Sequence, residues 1–171
     1  FGQLPQGYDH KYVYSHFGYN LKVTDLQAAV GVEQLKKFPS FIERRRHNWE
    51  RLHKELECIQ DKIILPEPAE NSRPSWFGFL ISVRPETGIE RNKITRYIEE
   101  HNVQTRLLFS GNIIKHPCFD QIRDTDAYRV SGDLSVTEFV MNNTFWVGVY
   151  PGMTDVMIDY MAEVIKDAVN L

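Results

Sequence analysis

The sequence predicts an α+β fold, in which helices pack on a small β-sheet and a long pair of helices precedes it. From Trp76 onward, three apolar runs typical of strands alternate with three helical segments. Ahead of them, apolar residues recur at helical spacing between residues 24 and 56. An alternation of strands and helices of this kind indicates one sheet with helices packed on it.

The helical pair is assigned to residues 24–65. Its start is marked by Thr24 and Gln27, which have the Thr-x-x-Gln spacing of a capping box. Pro39 is expected to end the first helix and to start the second, because proline lacks the N–H that a helix interior needs. The apolar stripe of the second helix consists of Ile42, Trp49, Leu52 and Leu56.

A small α/β domain is assigned to residues 66–171, after a proline-rich linker. Its first strand, WFGFLISV (76–83), is nearly all apolar, which favours a central strand covered on both faces. Asn102 is placed to end the next helix in the left-handed conformation, and Thr154 is placed to cap the last one. The remaining elements are a helix over 90–101, a strand over 103–109, a helix over 134–142, a strand over 144–150 and a closing helix that buries Ile158, Met161, Ile165 and Val169.

The composition is typical of a globular protein, with 42% hydrophobic residues and no apolar run near the roughly 18 residues of a membrane span. A net charge of -3, spread over 20 basic and 23 acidic residues, argues against nucleic acid as a partner. Cys58 and Cys118 form no CxxC pair, which argues against a zinc site and favours a reducing compartment, so we expect no membrane association and a cytoplasmic location. Residues 1–23 are expected to form an extended arm, and a chain that begins with Phe1 is expected to continue a longer one.

Three polar clusters are interpreted as ordinary surface features. His47 and His53 are six residues apart on one helix, so we expect solvated side chains on different faces and no shared metal ion. The arginines at 44–46 are expected to form a solvated helix face. The tripeptide at 116–118 is expected to form an ordered turn.

Two other segments favour a functional role. HKYVYSHFGYN (10–20) places aromatic rings and two imidazoles shortly before a helix start, a position that suits anions such as phosphate. TRLLFSGN (105–112) carries Arg106 in an otherwise apolar strand. That charge must be paired, exposed or used to hold a substrate.

The opening region resembles the pattern LGYNxKxTDxQAAxGxxQL, with Phe17 in place of Leu, of the DegT/DnrJ/EryC1/StrS family of vitamin B6 enzymes. Three stretches are similar to the dehydratase branch of that family: GYDHKYVYSHFGYNLK (7–22), TRLLFSGN (105–112) and MNNTFWVGVYPGMT (141–154). Together they run almost end to end and in order. The resemblance implies the C-terminal small domain of the aspartate aminotransferase fold (fold type I).

The implied activity is that of the C-terminal part of a pyridoxamine-phosphate-dependent 3-dehydratase of CDP-4-dehydro-6-deoxyglucose, in the synthesis of 3,6-dideoxyhexoses for lipopolysaccharide. In such enzymes three features lie upstream of the matching segment: the residues that hold the cofactor ring, a His that serves as base, and the cysteine ligands of a [2Fe-2S] cluster. The implied partners are a CDP-sugar, a second copy in a homodimer with shared active sites, and an iron–sulfur flavoprotein reductase. The chain alone is therefore expected to be inactive.

The resemblance also implies site residues. Asn20 is expected to reach the cofactor phosphate of the partner subunit, beside Lys22, where the family usually has Arg. Lys keeps the charge but loses the bidentate geometry of Arg. The substrate-binding candidates are Tyr14, His16, Arg106 and Asn112.

Two alternatives stay open. The chain could be the C-terminal domain of a sugar-nucleotide aminotransferase, although the arm and TRLLFSGN count against this. It could also be a non-catalytic domain whose helices and arm mediate dimerisation.

Overall fold

A computed structural model describes residues 5–6, 16–19 and 21–171 of the chain. They fall in two compact units, Phe1–Lys37 and Phe38–Leu171. Among the described residues, none of the helices has the length and apolar character to cross a membrane. The elements are α1 (Asp25–Leu56), β1 (Ile63–Ile64), β2 (Gly78–Val83), α2 (Arg91–Glu100), β3 (Thr105–Leu107), α3 (Ser135–Asn143), β4 (Thr144–Gly148) and α4 (Asp155–Val169).

Helix α1 is a single helix of 32 residues with Pro39 inside it, so the predicted break into a helical pair is wrong. An interior proline loses one backbone hydrogen bond and costs about 3 kcal/mol. The stability of the helical turns on both sides of Pro39 outweighs that local cost. The predicted capping box is confirmed: the Thr24 N–H donates to Gln27 Oε1 at 3.0 Å, and the Gln27 N–H donates to Thr24 Oγ1 at 3.4 Å.

The boundary between the assigned segments also differs from the prediction. The division between the two compact units falls within α1, after Lys37, rather than at residue 65. Strand β1 lies inside the segment that was assigned to helices. It was missed because two residues are too few to show the alternation by which strands are recognised.

The sheet has the order β1-β2-β4-β3, and all three neighbouring pairs are antiparallel. Strand β2 is central, as predicted, and β3 forms one edge. The register places Gly78 opposite Gly148, Leu80 opposite Trp146, and Arg106 opposite Trp146 on the other side.

One face of β2 is fully covered, and the other is only partly covered. Phe79, Ile81 and Val83 are fully buried, whereas Leu80 on the opposite face is 36% exposed. The prediction of two covered faces is therefore wrong. Apolar residue types cannot distinguish a partly open face from a closed one, because a folded surface also contains much apolar area.

The hydrophobic core joins the covered face of the sheet to the helices. The asparagine Asn102 ends α2 with φ 61°, as predicted. The Thr154 hydroxyl accepts from the Met157 N–H at the start of α4, which confirms the cap. The helical part of the core contains Trp49, Leu52 and Leu56 from α1, Ile94 and Ile98 from α2, and Ile158, Met161, Ile165 and Val169 from α4.

Candidate functional site

The start of α1 carries the described part of the predicted cofactor region. Lys22 is exposed and lies two residues before the Thr24 cap, and His16 is exposed in the segment before it. Tyr14 and Asn20 lie outside the described residues, so their roles stay predictions. Lys22 therefore offers an ammonium group close to a capped helix start, where an anion is favoured.

Arg106 lies on the edge strand β3 with an exposed side chain. Its Nη1 donates to the Thr105 carbonyl at 2.9 Å. With the Gln104 amide in the orientation that satisfies its hydrogen bonds, the Gln104 oxygen lies 2.9 Å from Nη2 and 3.1 Å from Nη1. Within the described ranges Arg106 has no carboxylate partner, so its charge is exposed and can bind an external anion.

Asn112 is only 4% exposed, and the chain itself occupies its amide group. Its Nδ2 donates to Glu138 Oε1 at 2.5 Å, and its Oδ1 accepts from the Ile114 N–H at 3.3 Å, which caps a short turn at Ile113–Lys115. Hydrogen bonds from Lys115, and then from Asn112, lower the pKa of the Glu138 carboxyl. Asn112 thus anchors a loop to α3, and its predicted contact with substrate stays a prediction.

The loop between Arg106 and Asn112 has a strained backbone. Phe109 has φ 49° and a side chain that is 77% exposed, a combination that is uncommon for an aromatic residue. Gly111 has φ 59°, and a Cβ there would lie 2.5 Å from Met141 Cγ. Because such strain clusters at functional sites, Phe109 is a candidate that the sequence analysis missed. The only signal for it was the Phe-Ser-Gly sequence after a strand.

A cleft of about 650 Å³ lies beside β3 and includes Arg106 in its lining. Asn102, Gln104 and Arg106 provide its polar groups. Its apolar lining includes Trp146, Tyr150 and Tyr160 together with Met153, Met157 and Met161. A mostly apolar cleft of this size with a few polar groups is typical of small-molecule sites.

A cluster of ion pairs joins α1 to the start of α4. Asp155 Oδ1 lies 2.7 Å from Arg44 Nη2 and 3.0 Å from His47 Nε2, and these hydrogen bonds, that of His47 first, lower the pKa of Asp155. Arg51 makes two hydrogen bonds to Asp159, at 2.6 and 2.8 Å, which lower the pKa of Asp159. Arg44 and His47 therefore contact the start of α4. The His47 side chain is still 46% exposed, as the predicted solvated face requires, whereas Arg44 is partly buried, so that prediction is wrong for Arg44.

The other end of this arginine run is also occupied by protein contacts. Arg46 donates to the carbonyls of Pro74 and Arg73 at 3.0 and 2.6 Å. These bonds tie the linker to α1. Arginines on a helix face bind protein groups rather than water when another segment of the chain packs against that face.

His53, in contrast to His47, is not solvated. Its side chain is 16% exposed, its ring stacks on Trp49 with the ring centres 5.0 Å apart, and its Nε2 lies 3.2 Å from Glu67. The tripeptide at 116–118 does lie in an ordered turn, as predicted, with His116 Nε2 2.7 Å from the Ser110 carbonyl oxygen. Cys58 and Cys118 are both exposed thiols, and the described residues contain no group of three or more His, Cys, Asp or Glu that could hold a metal ion.

The similarity of this chain to known proteins extends over most of its length. The model of the DegT/DnrJ/EryC1/StrS aminotransferase family matches residues 2–166. The lipopolysaccharide biosynthesis protein RfbH of Salmonella typhimurium is 45% identical over 170 residues, which are 99% of this chain and 38% of that protein. A dTDP-4-dehydro-2,6-dideoxy-D-glucose 3-dehydratase of Saccharopolyspora spinosa is 49% identical over 98% of this chain and 35% of its own length. The chain thus spans little more than a third of these relatives.

Solved structures confirm the expected fold. The Escherichia coli GDP-4-keto-6-deoxy-D-mannose-3-dehydratase with bound hydrated PLP matches with a TM-score of 0.76 and 26% identity, over 94% of this chain and 40% of that one. An aminotransferase from Psychrobacter cryohalolentis matches with a TM-score of 0.76 and 20% identity, over 93% of this chain and 43% of that one. The second similarity shows the fold alone. The chain covers about two fifths of each of these structures.

Proposed function

Because the chain belongs to the DegT/DnrJ/EryC1/StrS aminotransferase family, we propose that it supplies the C-terminal part of a nucleotide-sugar 3-dehydratase. The proposed substrate is CDP-4-dehydro-6-deoxyglucose, which loses its C3 hydroxyl in the synthesis of a 3,6-dideoxyhexose. The observation that carries the proposal is the 45–49% identity to RfbH and to a sugar 3-dehydratase over nearly the whole chain. The homodimer, the upstream His and [2Fe-2S] cluster, the flavoprotein reductase and a cytoplasmic location are parts of the same proposal.

Pyridoxamine phosphate, when bound, supplies the amine that condenses with the sugar's 4-keto group and the conjugated ring that takes up electrons as the hydroxyl leaves. The donor set of this chain fits its phosphate group. Lys22 is exposed and takes part in no ion pair of the described residues, and it lies next to a capped helix start. In this proposal, Lys22 and Asn20 of the partner subunit bind the cofactor phosphate, and the rest of the longer protein binds the cofactor ring.

On the substrate side, the proposed roles differ between direct and indirect contacts. Arg106 binds a phosphate of the nucleotide sugar, because its guanidinium is exposed and lacks a carboxylate partner within the described ranges. Asn112 acts as a positioning residue, because it fixes the loop that follows β3 through Glu138. His16 and Tyr14 are proposed as weaker substrate contacts from the arm.

The test of this proposal is kinetic and uses the longer enzyme. Arg106→Ala should raise KM for the CDP-sugar by about tenfold or more, since a charge-assisted hydrogen bond is lost, with little change in Tm. Arg96→Ala, an exposed arginine on α2, is the matched control and should leave both values unchanged. A mutant that lowers Tm but leaves KM unchanged would make Arg106 a structural residue and remove its proposed role. Mass spectrometry separates a 3-dehydrated sugar from the amino sugar that an aminotransferase would form.

A dimerisation role is supported by one observation. The first half of α1 exposes apolar residues that are 56–82% accessible, at positions Leu26, Val30, Val32 and Leu35. If the chain served only this role, Leu26→Asp with Leu35→Asp would change the sedimentation of the longer protein, and Arg106→Ala would have no effect on any ligand.

A further inference from the structure

The cleft beside β3 contains a bare stretch of backbone between two aromatic side chains. Trp146 and Gly148 alternate along β4, so their side-chain positions share one face of the sheet, and Tyr150, two residues further on, lines the same cleft. A Cβ added to Gly148 would meet no atom within 4 Å. The space above Gly148 is therefore open, and it belongs to the lining of the cleft.

Two other glycines hold the rings on either side of this space. A Cβ on Gly78 would lie 2.6 Å from Trp146 Cε3, and a Cβ on Gly152 would lie 2.7 Å from Tyr150 Cε2. Each ring thus packs closely against a glycine, where a larger residue would leave it no room. Glycine within a strand often marks a place where a ligand approaches the backbone closely, and Gly148 has no packing reason to be glycine.

The remaining lining of the cleft is apolar on one side and polar at one end. The Tyr160 hydroxyl donates to the His101 carbonyl at 3.0 Å, which orients the Tyr160 ring as a further wall. Met157 contributes a polarisable surface that suits aromatic rings. At the β3 end, Arg106 provides a positive charge and Gln104 an amide group.

We propose that this cleft binds a planar heteroaromatic ring that carries a phosphate group, and that its occupant is the nucleotide part of the nucleotide-sugar substrate. This inference rests on the proposed function for the identity of the occupant. The ring lies over Gly148 between the aromatic side chains, where stacking favours it. The phosphate lies at Arg106, whose planar guanidinium can bind it through two hydrogen bonds.

The experiment measures binding to the 171-residue chain by calorimetry and by ligand-observed NMR. The probes are CDP, cytidine, ribose 5-phosphate and pyridoxamine phosphate. CDP should bind about tenfold or more tightly than ribose 5-phosphate, because the latter lacks the stacking base. Cytidine should bind more weakly than CDP, and pyridoxamine phosphate, the other source of a ring with a phosphate, should fail to displace CDP.

Gly148→Val is the decisive variant because its side chain enters the cleft without meeting protein atoms near the Cβ. It should keep the Tm of the parent and weaken CDP binding by at least tenfold. Arg106→Gln should make CDP bind no better than cytidine. Tyr128→Leu removes an aromatic ring that packs on Phe119 outside the cleft and should leave the CDP affinity unchanged.

Several outcomes would overturn the inference. These are the absence of CDP binding, equal binding of CDP and ribose 5-phosphate, an unchanged CDP affinity in Gly148→Val, or displacement of CDP by pyridoxamine phosphate. In the longer enzyme, dehydration with an unchanged KM in Gly148→Val would refute the cleft and leave the proposed function standing. CDP binding as expected, with no dehydratase activity in the longer enzyme, would refute the function and leave the cleft standing.

Discussion

Gly78 and Gly148 lie opposite each other in β2 and β4, yet a methyl group is expected to have different effects at the two positions. At Gly78 the added Cβ would meet the indole of Trp146 at 2.6 Å and the Val147 carbonyl oxygen at 3.0 Å. At Gly148 it would meet nothing within 4 Å. The same residue type therefore has a packing role in one strand and leaves space in the other.

We predict that Gly78→Ala lowers the free energy of unfolding by about 1–3 kcal/mol, because the indole or the backbone must move to relieve overpacking. Gly148→Ala should be neutral or raise stability slightly, because alanine has less backbone entropy to lose on folding. Urea titration of both variants measures the difference. Equal losses at the two positions would show that strand propensity, and not the Trp146 contact, sets the cost.

At the level of single residues, the sequence identified Arg106 but not its surroundings. An arginine in an apolar strand is conspicuous, because its charge demands a partner or water. The cleft around it is assembled from β3, the end of β4 and α4, which are far apart in sequence, so no local pattern indicates it. Asn112 shows another limit: its contact with substrate stays a prediction, and its hydrogen bonds to Glu138 and Ile114 could not be predicted from the sequence.

Among the elements, α1 departs most from the prediction, because Pro39 lies in the interior of a continuous helix. We predict that Pro39→Ala raises the free energy of unfolding by about 1–3 kcal/mol, because it restores a backbone hydrogen bond and removes a clash with the preceding turn. Thermal unfolding followed by circular dichroism measures this. Lys54→Ala, an exposed alanine substitution elsewhere in α1, is the control and should change little. A loss of stability in Pro39→Ala would mean that the proline fits a bend that the helix needs.

The ion pairs between α1 and α4 should make stability depend on pH. Asp159 has a lowered pKa, chiefly through its hydrogen bonds with Arg51, while Lys166 also lowers it and Asp155 raises it. A carboxyl with a lowered folded pKa adds stability above its unfolded pKa of about 3.9 and loses that stability as pH falls through the folded pKa. Asp159→Asn should therefore cost stability at pH 7, and the cost should shrink below about pH 4.

Urea midpoints of the wild type and Asp159→Asn at pH 7, 5, 3 and 2 measure this dependence. Asp167→Asn is the matched control, because Asp167 is exposed on α4 and makes no ion pair among the described residues. A difference between Asp159→Asn and wild type that stays constant down to pH 2 would assign the effect to packing rather than to charge.

The helix ends could be predicted from sequence because caps are local. The Thr24 capping box, the left-handed Asn102 and the Thr154 cap each depend on residues within one or two turns. The coverage of β2 and the partners of His53 depend on segments distant in sequence, and these predictions were wrong. Local hydrogen bonds are thus legible in a sequence, whereas the choice between water and a packed neighbour is not.

For the whole molecule, the proposed sharing of active sites between two subunits makes a prediction about mixtures. A longer protein with Asn20→Ala and Lys22→Ala is combined with a variant that lacks the upstream catalytic His. Each parent should be impaired. The first loses hydrogen bonds to a charged phosphate, each worth about 1.5–3 kcal/mol of cofactor binding, and the second lacks the catalytic His. A heterodimer regains one site that takes its His from the first chain and Asn20 and Lys22 from the second.

Activity in the mixture should therefore exceed that of both parents. Native mass spectrometry confirms that heterodimers form, and wild type mixed with the His variant provides the reference level. If heterodimers form and activity does not recover, Asn20 and Lys22 serve their own subunit or have no role in the site.

The strand order limits when the domain can fold while the ribosome is synthesising it. Strand β4 lies between β2 and β3, and Phe145 and Val147 from β4 are fully buried. A nascent chain that ends before Thr144 can pair only β1 with β2, and β3 has no neighbour at all. Until β4 emerges, the two short edge strands expose little backbone that could pair wrongly. The sheet can therefore close only after β4 has emerged, when this one five-residue strand pairs with both of its neighbours.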